Sequence, residues 1–239
     1  MYVVYSGLMS YRSQAGALLV VMLLAGCHSP PSGEARPPAP FEPLAIPAGA
    51  AHYRIDPMRS QVLVLVRREG SAAALGHSHV MSIHELSGDV WWVGEDARSV
   101  LALKFPVAAI GVDEAGPRST QGIEYQDAIS DEGIAGTREH MLAAELLDAM
   151  DFPDIALRAG NLRRTDAGWR LTAQITVRDH TTSIEVPLTL REPDGEIVAS
   201  GEFTVTHRQL GLTPHSVMLG ALRVADALPI QFRLVATRG

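Results

Sequence analysis

From residue 169 onward the chain alternates between apolar and polar side chains. Trp169, Leu171, Ala173, Ile175 and Val177 interleave with Arg170, Thr172, Gln174, Thr176 and Arg178. Ile184, Val186, Leu188 and Leu190 then alternate with Ser183, Glu185, Pro187 and Thr189. Ile197, Ala199, Gly201, Phe203 and Val205 do the same against Ser200, Glu202, Thr204 and Thr206, and Leu228, Ile230, Phe232 and Leu234 against Gln231 and Arg233. A period of two places successive side chains on opposite faces of a strand, so each run predicts a strand with one buried and one wet face. Asp179-His180 and Pro193-Asp194-Gly195 lie between runs and read as hairpin turns. Consecutive hairpins imply antiparallel pairing.

The first half of the chain predicts strands at 61–67, 87–93, 99–107 and 154–159. Leu101, Leu103, Phe105 and Val107 share one face of the third, and Ile155, Leu157 and Ala159 one face of the fourth. Between those two lies the one helical stretch, starting near Ser130, running through Arg138-Glu139-His140-Met141-Leu142 and including 144–149. It reads as a crossover. The connection at 111–136 carries several acids and few large apolar residues, and a loop that long is expected to be functional or mobile, here a lid at the mouth. About eight amphipathic antiparallel strands have two ordinary solutions, a closed barrel or a two-sheet sandwich. The fold class expected is all-β.

Composition narrows the function. The net charge is −7 and Lys104 is the only lysine, so no basic stripe is available to track a phosphate backbone and nucleic acid is not an expected partner. Residues 51–239 amount to one domain. Before them, 27–50 is rich in proline, alanine and glycine, too poor in large apolar residues to fold, and reads as an extended tether. Before that, Ala15 to Leu24 is an apolar run far shorter than the roughly 20 residues a membrane-crossing helix needs. It has Arg12 on its N-terminal side and ends in Leu24-Ala25-Gly26-Cys27, which holds the only cysteine. This resembles a bacterial lipoprotein signal, with cleavage after residue 26 and acylation of the Cys27 thiol. A short buried helix with an incidental cysteine is the alternative. By resemblance to lipoprotein sorting rules, His28 in place of an aspartate favours the outer membrane. The expected location is the periplasm, lipid-anchored to the membrane.

Several stretches then carry a family resemblance. Tyr53-Arg54-Ile55-Asp56-Pro57 precedes Ser60-Gln61-Val62, and Leu86-Ser87-Gly88-Asp89-Val90 follows. Arg138-Glu139-His140-Met141 leads through Leu147-Asp148-Ala149 to Phe152-Pro153-Asp154-Ile155. Thr181-Thr182, Val186-Pro187-Leu188 and Arg208-Gln209-Leu210-Gly211-Leu212 complete the series. In this order and spacing they resemble the YceI-like family over nearly all of 53–236. The resemblance implies a lipocalin-like barrel of about eight antiparallel strands around an elongated apolar cavity, in a secreted or periplasmic protein that binds an isoprenoid or another long amphiphile. The strand faces named above would line that cavity: Leu101, Leu103, Phe105, Ile155, Leu157, Trp169, Leu171, Ala173, Ile184, Val186, Ala199, Gly201, Phe203, Ile230 and Phe232. Small residues such as Ala173, Ala199 and Gly201 leave room there, although Gly201 equally marks a bend, and a packed barrel of purely structural role stays open. No cofactor is required beyond a bound isoprenoid or fatty-acyl lipid, and a homodimer is open.

The pointed chemistry lies in His77-Ser78-His79 and His84. His-x-His in an extended segment puts two imidazoles on one side, a reasonable start for zinc or copper, with His140 as a third ligand. The competing reading places His77, His79, Arg138 and His140 at the barrel mouth, orienting a head group. A metal-binding or redox-associated accessory module using the His77 and His79 cluster is the alternative function. Enzyme signatures fail: Gly76-His77-Ser78-His79-Val80 lacks the closing glycine of a nucleophile elbow, and His84-Glu85 is not followed by a histidine at zincin spacing. Asp131 and Glu132 read as solvated loop acids. A binding protein, not an enzyme, is expected.

Overall fold

The computed structural model describes residues 45–95 and 97–239. The signal segment, Cys27 and the tether as far as residue 44 lie outside the described residues. Fourteen strands form among the described residues. They are β1 (Ala51–Ile55), β2 (Gln61–Val66), β3 (Arg68–Glu69), β4 (His79–Ile83), β5 (Ser87–Trp92), β6 (Val100–Pro106) and β7 (Ile110–Val112), then β8 (Asp154–Thr165), β9 (Gly168–Val177), β10 (His180–Arg191), β11 (Ile197–Thr206), β12 (Ser216–Val217), β13 (Leu222–Val224) and β14 (Ala227–Arg238). Two helices, α1 (Ala115–Ser119) and α2 (Asp131–Leu142), separate β7 from β8.

Antiparallel pairing runs β1-β5-β6-β8-β9-β10-β11-β14, and β14 pairs back onto β1, closing an eight-stranded barrel. The same edge of β14 also carries β2, with Tyr53 opposite Arg238 and Val64 opposite Ile230. From β2 the sheet continues through β4 to β7. Three wall strands are therefore bent in two: β1 with β2, β4 with β5, and β6 with β7. The Asp56-Pro57 motif makes the first bend. The Asp56 carboxylate accepts the N–H groups of Met58 (3.0 Å) and Arg59 (3.3 Å), an aspartate turn, and Ser60 Oγ receives the Val235 N–H at 3.0 Å. The ring leaves no free edge where β14 meets β1, while its extension through β2 and β4 ends in β7 as an edge strand.

The period-two runs of the second half become β9, β10, β11 and β14, joined by short hairpins. Arg178 takes φ +56° in the β9–β10 turn, and Asn161 takes φ +53° at the bulge that shifts β8 between Gly160 and Arg163. Gly201 is a point of close approach. A Cβ there would stand 2.5 Å from the Pro187 carbonyl and 3.0 Å from the Phe232 ring, so the glycine lets Phe203 and Phe232 meet edge to face at 6.1 Å.

The connection at 111–136 is structured. It supplies β7, α1, a 3-10 turn at Ile123–Tyr125 and the start of α2. It is no lid over its length, because 113–127 packs on the outer wall. Tyr125 is 1% exposed and closes a second apolar cluster with Leu63, Leu65 and Val80. Arg67 reaches Glu124 (2.9 Å) and Tyr125 (3.3 Å), and Arg68 reaches Asp127 (2.8 Å). These partners lie some sixty residues back in the chain. α2 begins where expected, capped by Ser130, whose Oγ accepts the Gly133 N–H at 3.2 Å. Asp131 and Glu132 occupy its first turn, where the helix dipole favours acids, rather than a loop. The helix stops at Leu142, and 144–149 is turn instead of helix.

Candidate functional site

The inward faces of the barrel strands do not fill the barrel. Three chambers lie along its interior. The mouth chamber is about 380 Å³, the middle one about 180 Å³ and the narrow one about 70 Å³. Val64, Ile83, Phe105 and Ile155 line both mouth and middle, while Leu101, Ala159, Leu171 and Ala199 line both middle and narrow chambers, so the three run in series. The middle chamber is lined by valine, isoleucine, leucine, phenylalanine and alanine alone. It offers an occupant apolar burial, worth roughly 25 cal/mol per Å² removed from water, and no hydrogen bond from a side chain.

Twelve of the apolar residues expected to face the interior line the middle chamber: Leu101, Leu103, Phe105, Ile155, Leu157, Leu171, Ala173, Val186, Ala199, Phe203, Ile230 and Phe232. Trp169, Ile184 and Gly201 line none of the chambers. Trp169 is buried with the Arg164 guanidinium 5.2 Å above its ring, Ile184 packs in the core opposite Ala173, and Gly201 is the close approach described above.

The histidines separate. His77 precedes β4 and is exposed, and His84 follows it, exposed and bonded to Glu114 at 2.8 Å. Neither lines a chamber. His79, inside β4, faces the mouth chamber, and His140 and Thr137 join it from α2. Arg138 does not line it: its guanidinium donates to the carbonyls of Ile110 (2.6 Å) and Ala108 (2.5 Å), fixing α2 to the β7 edge. Two mouth residues had no signal in short-range spacing. His207 and His215 arrive from the far end of the chain, and His215 meets His140 ring to ring at 4.1 Å. Among the described residues no three His, Cys, Asp or Glu side chains are placed to hold one metal ion.

His79 is held from behind. Its Nδ1 donates to Asp113 Oδ2 at 2.6 Å, and the other Asp113 oxygen accepts the Val80 N–H (2.9 Å) and the Arg118 guanidinium (2.5 Å). Arg118 also donates to the Ser78 carbonyl at 2.8 Å. Burial alone would raise the Asp113 pKa, but the His79 and Val80 hydrogen bonds and the neighbouring positive charges outweigh it and hold the carboxyl below its ordinary value. His207 is buried, its Nδ1 donating to the Asp226 carbonyl at 3.1 Å. Burial pushes the His207 pKa down, outweighing the pull of Asp226 and Ala225, so its imidazole is neutral. His215 is also shifted down, by desolvation first and then by the charge of His140.

A closed antiparallel barrel with a continuous apolar interior and a polar mouth defines the lipocalin-like class of binding folds. The YceI-like domain matches residues 53–236, and the chain belongs to that family. Among solved structures, BcnA of Burkholderia cenocepacia shares 15% identity at a TM-score of 0.57, covering 77% of this chain and 99% of BcnA, a likeness of fold. The YceI protein of Campylobacter jejuni shares 12% identity at a TM-score of 0.47, covering 66% of this chain and 84% of its own. No curated protein matches the chain.

Proposed function

We propose that this protein is a lipid-anchored periplasmic carrier that holds one long-chain amphiphile inside its barrel, and that it acts by binding rather than by catalysis. The observation that carries this reading is the middle chamber, a void of about 180 Å³ walled by apolar side chains alone. Native cores leave few voids of that size, and an apolar void loses the dispersion contacts a ligand would restore. The mouth chamber adds polar groups at one end, which suits an isoprenoid or fatty-acyl chain bearing a head group.

Native mass spectrometry of protein purified without denaturation, followed by lipid extraction, tests the binding. A copurifying amphiphile at about one per barrel is expected, and a barrel that stays empty when offered long-chain lipids ends the proposal. Anchoring is tested separately. Cys27→Ala should shift the protein from the membrane fraction to a soluble or uncleaved form, whereas a processed variant still in the membrane fraction removes Cys27 as the anchor.

A further inference from the structure

The turn that joins β12 to β13 is built from residues that suit it poorly. Met218 and Leu219 take φ +52° and +55°, and Gly220 follows at φ +89°, three left-handed residues in succession. Glycine, asparagine and aspartate enter that region most readily, and a long apolar side chain there is uncommon. Both Met218 and Leu219 are exposed, Leu219 completely, and Val217 before them is exposed as well. Exposed Leu75 belongs to the turn packed against the same hairpin. There the Ala72 N–H donates to the Ala221 carbonyl at 2.8 Å, and a Cβ on Gly76 would meet the Leu222 side chain at 2.9 Å. Residues 216–222 carry no charge, and Arg223 beyond them is paired with Glu69 at 3.0 Å. The feet of the hairpin, His215 and Val224, line the mouth chamber, and the Val224 N–H donates to the His215 carbonyl at 2.9 Å. The apolar tip therefore stands at the rim of the opening.

We propose that this tip is a membrane-docking element: Met218 and Leu219, with Val217 and Leu75 behind them, enter the interfacial zone of an electrically neutral bilayer and set the mouth chamber against it. A strained turn that exposes its largest side chains gains nothing for the fold and fits an element used outside it. Four side chains fall short of the roughly 800 Å² per partner that a stable protein interface buries, whereas a fluid bilayer accepts a small apolar wedge. With Arg223 paired and a net charge of −7, an anionic surface adds no attraction, so the contact is apolar. Residues 27–50 of the proposed anchor span up to roughly 75 Å at about 3.1 Å per residue, enough for an anchored barrel to turn this end to its own membrane.

The choice of a bilayer rests on the reading of the barrel as an amphiphile carrier, and the test keeps the two apart. Full-length protein carries an environment-sensitive dye at Leu219→Cys, or at Met58→Cys on the exposed bend between β1 and β2. Each is mixed with phosphatidylcholine vesicles containing nitroxide-labelled acyl chains, and unmodified protein taken through the same labelling corrects for dye on Cys27. Quenching at position 219 is expected to be about threefold that at position 58. Equal quenching overturns the docking and leaves the carrier reading standing. A dye at 219 that is shielded without vesicles, increasingly so with protein concentration, assigns the tip to a second copy and overturns it equally. Strong quenching at 219 in a barrel that stays empty when offered long-chain lipids removes the carrier and keeps the docking. Met218→Asn with Leu219→Asn gives the turn side chains suited to it, so the melting temperature is expected to hold or rise. A clear fall would show that Met218 and Leu219 support the fold, and would overturn the proposal.

Discussion

Asp113 carries more of the site than its position in a short loop suggests. Its backbone is left-handed, at φ +52°, a conformation aspartate tolerates better than most residues, and its side chain is 1% exposed. From there it fixes the ring of His79, accepts the Val80 N–H and neutralises Arg118. Asp113→Ala strands a largely buried guanidinium and leaves His79 without its anchor. It should therefore cost about 3–5 kcal/mol in urea unfolding, the usual penalty for breaking a buried pair by removing one partner. Asp113→Asn keeps an oxygen for one donor and should cost clearly less. Equal losses in the two variants would mean that the negative charge, not the hydrogen bonding, is what the site requires. Ala199 tests the interior at the same scale. It lines both the middle and narrow chambers, so Ala199→Trp should fill space that is now empty, evict the ligand and leave the melting temperature of lipid-free protein nearly unchanged. In a filled core the same insertion costs about 1–3 kcal/mol, and a melt that falls accordingly would show that the chamber does not exist in solution.

At the scale of elements, the outer flap and the helix behave as different devices. Residues 113–127 lean on the outer wall through Tyr125, whereas α2 presents Thr137 and His140 to the mouth. Tyr125→Ala should thus expose 113–127 to limited proteolysis while the barrel retains its ligand. Ligand loss in step with cleavage would instead make the flap part of the gate. This division also marks what the sequence could and could not disclose. The strands β9, β10, β11 and β14 were legible because each contains an alternating run of seven to ten residues, long enough for a period of two to be unmistakable. Twelve inward residues followed from the same alternation. The flap was not legible, since it offers one large buried residue, Tyr125, and is otherwise held by polar contacts to remote residues, Arg67 and Arg68 at one end and Ser78, His79 and Val80 at the other. Nor was the mouth. His77 and His79 were grouped by a two-residue spacing, but His77 falls just before β4 and the alternation starts only at His79. The actual companions, His207 and His215, are more than a hundred residues away, and only closure of β14 onto β1 and β2 brings their end of the chain to β4.

For the whole molecule, the same groups set how stability follows acidity. Burial gives folded His207 a pKa below its unfolded value of 6.5, so the folded state binds the proton less readily than the unfolded chain. Above pH 6.5 both states are neutral there and the full stability is present. As the pH falls through this value the unfolded chain takes up the proton first, and stability is lost until the folded histidine titrates as well. While only the unfolded state is charged, the loss approaches about 1.4 kcal/mol per pH unit for this one residue. His215 shifts in the same direction but is solvent-exposed, so it adds little. Asp113 acts in a lower window: its folded pKa is depressed, so its contribution is present above the unfolded value of 3.8 and disappears as the pH falls through the folded one. Urea midpoints measured from neutral pH downward should accordingly fall in two stages, one setting in near 6.5 and one below 3.8. His207→Phe should flatten the first stage and spare the second, and Asp113→Asn should do the reverse. Because His207 also lines the mouth, bound amphiphile should oppose its protonation, so the first stage keeps its onset near 6.5 and runs on to lower pH before levelling off, an extension that lipid-free protein would not show. An unchanged first stage in His207→Phe would place the sensitive group elsewhere in the barrel and separate ligand retention from the acid response.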